Sequence, residues 1–198
     1  MTTLIEAIML KAASLPKGSV LQPRGFRHLG SRSAIQRAFS KLVQLDKLMR
    51  VQHGFYVMLK PTRFGAVQPP AEFVAKAIAA PRGDLIVPCG ASAANVLGLT
   101  SQNSLSEVYL TSGRTRSLMF GKYKVLIRHA PRWMLALGES LAGAAVRALS
   151  WMGPVFVRKS LKQLRKSLPG ADWNVLTSNT AGLPSWMSQA IREEAARA

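Results

Sequence analysis

The chain has 198 residues, 48% of them hydrophobic, and 27 Lys and Arg against 9 Asp and Glu give it a formal charge of +18. That length accommodates one or two small domains with cores of their own, and a single cysteine, Cys89, excludes an intrachain disulfide. So large a positive excess makes a polyanion the expected partner, nucleic acid being the commonest, although an anionic membrane or an acidic protein suits the same charge.

Taken in chain order, Thr3 to Ala13 places Leu4, Ile5, Ile8, Met9 and Ala12 on one helical face. Pro16-Lys17-Gly18 ends that helix. Ser19-Val20-Leu21 is a short strand, and Pro23 opens a second short helix through Phe26 and Leu29 that Gly30 terminates. Ser31 is a good N-cap for a third helix running to about Leu45. Its apolar residues Ile35, Ala38, Phe39 and Leu42 follow the i, i+3, i+4, i+7 pattern. At ~100° per residue the opposite face presents Ser33, Gln36, Arg37, Ser40 and Gln44, flanked by Lys41. No carboxylate occurs between Glu6 and Asp46. A face made only of donors and amphoteric groups suits phosphate oxygens and base edges.

Lys47 to Gln52 and Phe55 to Met58 are β-prone runs on either side of His53-Gly54, the pattern of a hairpin. Helix, short helix, basic helix and hairpin follow in the order of a winged helix-turn-helix, whose third helix enters the major groove of duplex DNA. The expected DNA-contacting residues are Ser31, Arg32, Ser33, Gln36, Arg37, Ser40 and Lys41 on the helix, with Arg50, Gln52 and His53 on the wing. Gln36 suits adenine and Arg37 guanine, each through two hydrogen bonds worth ~1–3 kcal/mol of discrimination. The plainer alternative is a helical domain with a solvated basic face.

Lys60 to Pro70 holds three prolines and a glycine and lacks periodicity, which predicts an extended connector. The expected division is therefore a DNA-binding domain over 1–60, a linker over 61–71 and a second domain over 72–198. Residues 1–60 carry 10 basic and 2 acidic residues, so they are the denser in positive charge. Beyond the connector, helices are expected at Glu72 to Ala79, Ala91 to Leu97 and near 135–151, 155–168 and 184–196. Strands are expected at Asp84 to Val87, Glu107 to Thr111 and Lys122 to Arg128. Without regular alternation of the two, the fold class is α+β.

The run Gly90-Ala91-Ser92-Ala93-Ala94-Asn95-Val96-Leu97-Gly98-Leu99-Thr100-Ser101-Gln102 resembles the "ASA…LGLTTQ" block of the AbiEi-type antitoxins. Val108-Tyr109-Leu110-Thr111-Ser112-Gly113 resembles the strand and turn that follow it. Ser31 to Ala38 together with Gly54-Phe55-Tyr56-Val57 is similar to that family's winged helix. The likeness covers about residues 3–130, and the helix-rich end departs from the longer members. It implies the antitoxin of a type IV toxin–antitoxin system associated with abortive phage infection. Such a protein represses its own operon and counters a nucleotidyltransferase-like toxin without a stable complex. A stand-alone regulator, or a basic protein binding DNA or RNA without sequence preference, is the competing reading.

Two further basic groups are Arg114, Arg116, Lys122, Lys124, Arg128 and Arg132, and the run Arg158 to Lys166. On a helix, Leu161, Leu164 and Leu168 share one face while Arg158, Lys162 and Arg165 share another. These cations belong either to a surface helix packed by its leucines or to a second polyanion surface that extends the DNA footprint or meets tRNA. A palindromic operator would take two copies of the chain, although no dimer interface is legible. Membrane adsorption ranks last, the apolar stripe being narrow and without aromatics.

No catalytic constellation, metal-ligand spacing or cofactor motif emerges from nine scattered acids and from His28, His53 and His129. The adjacent Glu193 and Glu194 are expected to face solvent. Cys89, at a strand-to-helix turn, is read as a buried small residue before it is read as a nucleophile. The first residues lack the basic segment and apolar core of a secretory leader. The most apolar stretch, Trp133 to Val157, is interrupted by Glu139 and Arg147 and falls short of the ~20 residues a membrane span requires. A soluble, cytoplasmic protein is expected.

Overall fold

The computed structural model describes residues 3–102 and 106–197 and shows a mixed α+β protein. It forms two compact units. The first comprises the residues up to Asp84 together with Arg116–Ile127; the second comprises Leu85–Thr115 and the residues from Arg128 onward.

In the first unit, helix α1 (Leu4–Ala13) begins with a reciprocal cap. Thr3 Oγ1 accepts the Glu6 N–H, and the Glu6 carboxylate accepts the Thr3 N–H at 2.7 Å. Strand β1 (Val20–Leu21) leads to a 3₁₀ segment (Pro23–Leu29) with Pro23 at its start, then to α2 (Arg32–Gln44). Strands β2 (Leu48–Gln52) and β3 (Phe55–Met58) pair antiparallel, and β1 adds to the other side of β3. Gly54, at φ 75°, makes the turn between β2 and β3 in a conformation that a side chain disfavours. The core beneath is Ile8, Ala12, Leu21, Phe26, Ile35, Phe39, Leu42, Leu48 and Tyr56. Phe39 stands edge-on to Phe26 at 5.6 Å and packs tilted against Tyr56 at 4.7 Å.

The proline-rich seam is not a plain connector. Lys60–Thr62 (β4) and Gly65–Val67 (β5) form a second hairpin, in which Pro61 is tolerated because a two-stranded ribbon leaves an outer edge that needs no N–H donor. Nor does the first compact unit end at residue 60. It continues through α3 (Ala71–Ala79), whose Val74, Ala75, Ile78 and Ala79 are buried, to Asp84. It also takes in β8 (Arg116–Phe120), which lies against β2. Buried Leu118 and Phe120 explain why this distant segment joins it, since apolar burial does not depend on separation along the chain.

In the second unit, β6 (Ile86–Pro88) pairs antiparallel with β7 (Val108–Thr111). Helix α4 (Gly90–Val96) packs on the long α6 (Leu141–Ser167) through Ala93, Ala94 and Ala148. The small residues there are a packing requirement: a Cβ on Gly90 would lie 2.5 Å from the Arg147 carbonyl oxygen and 2.7 Å from Trp151 Cβ. Helix α6 breaks at Gly153 (φ 75°, ψ 174°) just before Pro154, which cannot donate to the preceding turn. Short α5 (Arg132–Leu135) precedes it; α7 (Gly170–Ser178) and α8 (Ser185–Ala195) fold back on it, burying Leu161, Leu164, Leu176, Met187 and Ile191. Back in the first unit, the Tyr123–Ile127 part of strand β9 (Tyr123–His129) pairs with β8 as a hairpin. The expectations missed β8 and α7. No helix among the described residues is long and apolar enough to cross a membrane.

Candidate nucleic-acid interface

Helix α2 starts where the sequence says it should, because Ser31 Oγ accepts the Ala34 N–H at 3.3 Å and so satisfies one of the free donors of the first turn. Ile35, Ala38, Phe39 and Leu42 are buried. Burial of that stripe forces the other face outward: Ser31, Arg32, Ser33, Gln36, Arg37, Ser40 and Lys41 are all exposed. Ser31 and Ser33 Oγ lie 3.2 Å apart at the N-terminal end.

The β2–β3 turn brings His53 and Arg50 to the surface. Gln52 behaves differently from the expectation. It is half-buried, and its Oε1 is shielded from water without a hydrogen-bond partner among the described residues. The ladder shifts register between Arg50 and Gln52, and that irregularity sets Val51 inward.

A cleft of about 300 Å³ joins these elements. Arg24 and Arg27 from the 3₁₀ segment, Arg32 and Gln36 from α2, and Gly54 and Phe55 from the turn line it. Arg24 and Arg27 were absent from the expected contact set. A 3₁₀ segment has three residues per turn, so the helical projection used for α2 does not show which way they face. Their charge was the available signal. Arg24, Arg27 and Arg32 are exposed and not ion-paired among the described residues. Three guanidinium groups around one concavity concentrate positive potential where an anion would sit.

The other cations divide. Arg116, Lys122 and Lys124 fall in the first unit, with both lysines exposed, whereas Arg116 is turned in. Its side chain is 13% exposed and reaches Asp84 at 3.7 Å, and Arg82 bonds the same carboxylate at 3.0 Å. Arg116 is therefore turned towards Asp84 and away from the surface, while its Nε and Nη2 make no hydrogen bond among the described residues. In the second unit, Arg114, Arg128, Arg132 and Lys162 are exposed. Arg158 pairs with Glu193 at 3.0 Å, and Arg165 reaches Glu194 at 4.0 Å. Glu194 does not face solvent: it is 6% exposed and also takes Arg197 at 3.2 Å. The basic run on α6 thus spends two of its arginines fastening α8, and its leucines pack inward.

Arg147, read in the sequence as an interruption, is a buried anchor. Its Nη1 donates to the Gly138 carbonyl at 2.8 Å and to the Met134 carbonyl at 3.4 Å. Burial pulls its pKa down to about 10, with the Glu139 carboxylate opposing the shift. Cys89 is buried with Sγ 3.6 Å from Ser92 Oγ, and the His129 ring bonds the Gly113 carbonyl at 2.8 Å.

The chain belongs to a family of unknown function, DUF6088, whose pattern matches residues 7–168. No curated protein and no solved structure matches it.

Proposed function

We propose that this protein is a regulator that binds duplex DNA in a sequence-specific manner, with α1, the 3₁₀ segment, α2 and the β2–β3 hairpin acting as a winged helix-turn-helix. One observation carries the reading. The exposed, carboxylate-free face of α2 opens onto the same cleft as the β2–β3 turn and the arginines of the 3₁₀ segment. In this arrangement the N-terminal half of α2 lies in the major groove, Gln36 and Arg37 contact base edges, and Ser31, Ser33 and Arg32 meet the sugar–phosphate rim. Arg24 and Arg27 hold one backbone from the side, and Arg50 and His53 touch the next from the hairpin. Occupied upstream of its own gene, such a site represses transcription, and a palindromic operator takes two copies.

The antitoxin role rests on the resemblance of Gly90 to Gln102 and Val108 to Gly113 to the AbiEi-type pattern. It would place a nucleotidyltransferase-like toxin, and the tRNA such a toxin modifies, among the functional partners. Growth rescue of cells expressing a neighbouring toxin gene tests that role separately. The competing reading, charge-driven binding to any DNA or RNA, is favoured by the formal charge of +18.

The deciding experiment is binding to the duplex upstream of the gene against a scrambled duplex at about 150 mM salt. Preference of at least about a hundredfold, lost in Arg37→Ala, supports the regulator. Equal binding to both duplexes, unchanged by Arg37→Ala, leaves only charge-driven binding.

A further inference from the structure

The β4–β5 hairpin has no part in the contacts assigned above. Every residue from Lys60 to Gln68 is exposed, so neither face of the ribbon is covered. A bare two-stranded ribbon is marginal in water and depends on its turn. Here the turn is tied by one hydroxyl: Thr62 Oγ1 donates to the Gly65 carbonyl at 2.7 Å and accepts the Phe64 N–H at 3.2 Å. Gly65, at φ 114°, supplies a backbone conformation that other residues resist. The outcome is an aromatic ring held in water, with Phe64 86% exposed and the Arg63 guanidinium 4.7 Å from its centroid. No acid lies between Asp46 and Glu72, so the hairpin itself carries no carboxylate to oppose a polyanion. The hairpin belongs to the same compact unit as α2.

We propose that this hairpin is a second DNA-contacting arm whose tip enters the minor groove next to the major-groove site; the inference rests on the DNA-reading proposal. A minor groove about 6 Å wide excludes a helix but admits the side chains of a turn. A narrow groove concentrates negative potential and attracts an arginine, the part Arg63 plays. An apolar ring wedges against a base step, the part Phe64 plays, and Lys60 at the base of the ribbon meets phosphate. A single exposed aromatic is ordinary. An aromatic stacked with a cation, at the tip of a tied and uncovered hairpin that carries no carboxylate, is the combination that points to DNA.

The test is hydroxyl-radical footprinting and affinity measurement with the full chain on its upstream duplex, using Arg63→Ala, Phe64→Ala, Phe64→Trp and Arg37→Ala. Unchanged thermal unfolding identifies the hairpin variants as folded. The expected result is a minor-groove protection flanking the main footprint. Arg63→Ala and Phe64→Ala lose it and bind roughly tenfold more weakly. Phe64→Trp keeps it, and all three keep the preference for the cognate duplex. Footprint and affinity equal to wild type in both alanine variants overturn the arm while leaving the DNA-reading proposal intact. Loss of binding to anionic vesicles, with DNA binding unchanged, also overturns it in favour of a membrane contact. If wild type shows no preference for its upstream duplex, both proposals fall together.

Discussion

Removing Arg24 and Arg27 separates backbone contacts from base contacts in a way that Arg37→Ala cannot. Both arginines line the cleft with Arg32 and Gln36, and neither is spent on a carboxylate among the described residues. If each neutralises one phosphate, its loss lowers the slope of log affinity against log salt by ~0.9, and the double variant by about 1.8. Between about 50 and 200 mM salt the wild type then loses roughly twelvefold more affinity than Arg24→Ala/Arg27→Ala. Because phosphates carry no sequence information, the weakening is the same on cognate and scrambled duplexes. Arg37→Ala does the reverse: it loses ~1–3 kcal/mol on the cognate duplex and little on the scrambled one. Fluorescence anisotropy of labelled duplexes across a salt series reads both effects. A slope unchanged in the double variant, or a loss confined to the cognate duplex, would refute the assignment of these arginines to the backbone.

Two predictions concern the second unit. Gly90→Ala places a Cβ 2.5 Å from the Arg147 carbonyl oxygen, backbone that cannot rotate away, so unfolding free energy drops by ~1–3 kcal/mol in urea denaturation; an unchanged midpoint would show that α4 can shift on α6. Arg147→Met leaves the Gly138 and Met134 carbonyls without their donor and destabilises the unit by ~1–3 kcal/mol, read in the same assay. The folded pKa of Arg147, about 10, lies below that of a free guanidinium, so the unfolded state holds the proton more tightly. Stability therefore contains a contribution that rises with pH above about 10, and Arg147→Met lacks it.

Local pattern made the first elements legible. The apolar stripe of α2, its Ser31 cap and the His53-Gly54 turn lie within a few residues of the partners that define them, and the exposed face of α2 follows from the stripe by geometry. The errors have a common physical origin in long-range pairing. Lys60 to Pro70 looked like a connector because a three-residue ribbon is too short to alternate and its prolines suppress the strand signal, yet the Thr62 hydroxyl and Gly65 close a hairpin. Arg116 looked like one more surface cation, and only folding sets it beside Asp84, 32 positions earlier. Glu194 looked solvated for the same reason, its partner Arg165 lying on another helix.

Charge, hydrophobic period and capping chemistry are legible along the chain itself, and they determined that α2 exists, which of its faces is buried, and that the chain carries a formal charge of +18. Which cations remain available to a ligand was decided only by the tertiary structure. It turned Arg116 and Arg147 inward to a carboxylate and to carbonyls, set Arg158 and Arg165 beside the acids of α8, the first in an exposed pair, and gathered Arg24, Arg27 and Arg32 around one cleft. A charge is free or used according to what lies within a few ångströms of it, and that distance is set by the packing of segments far apart in sequence.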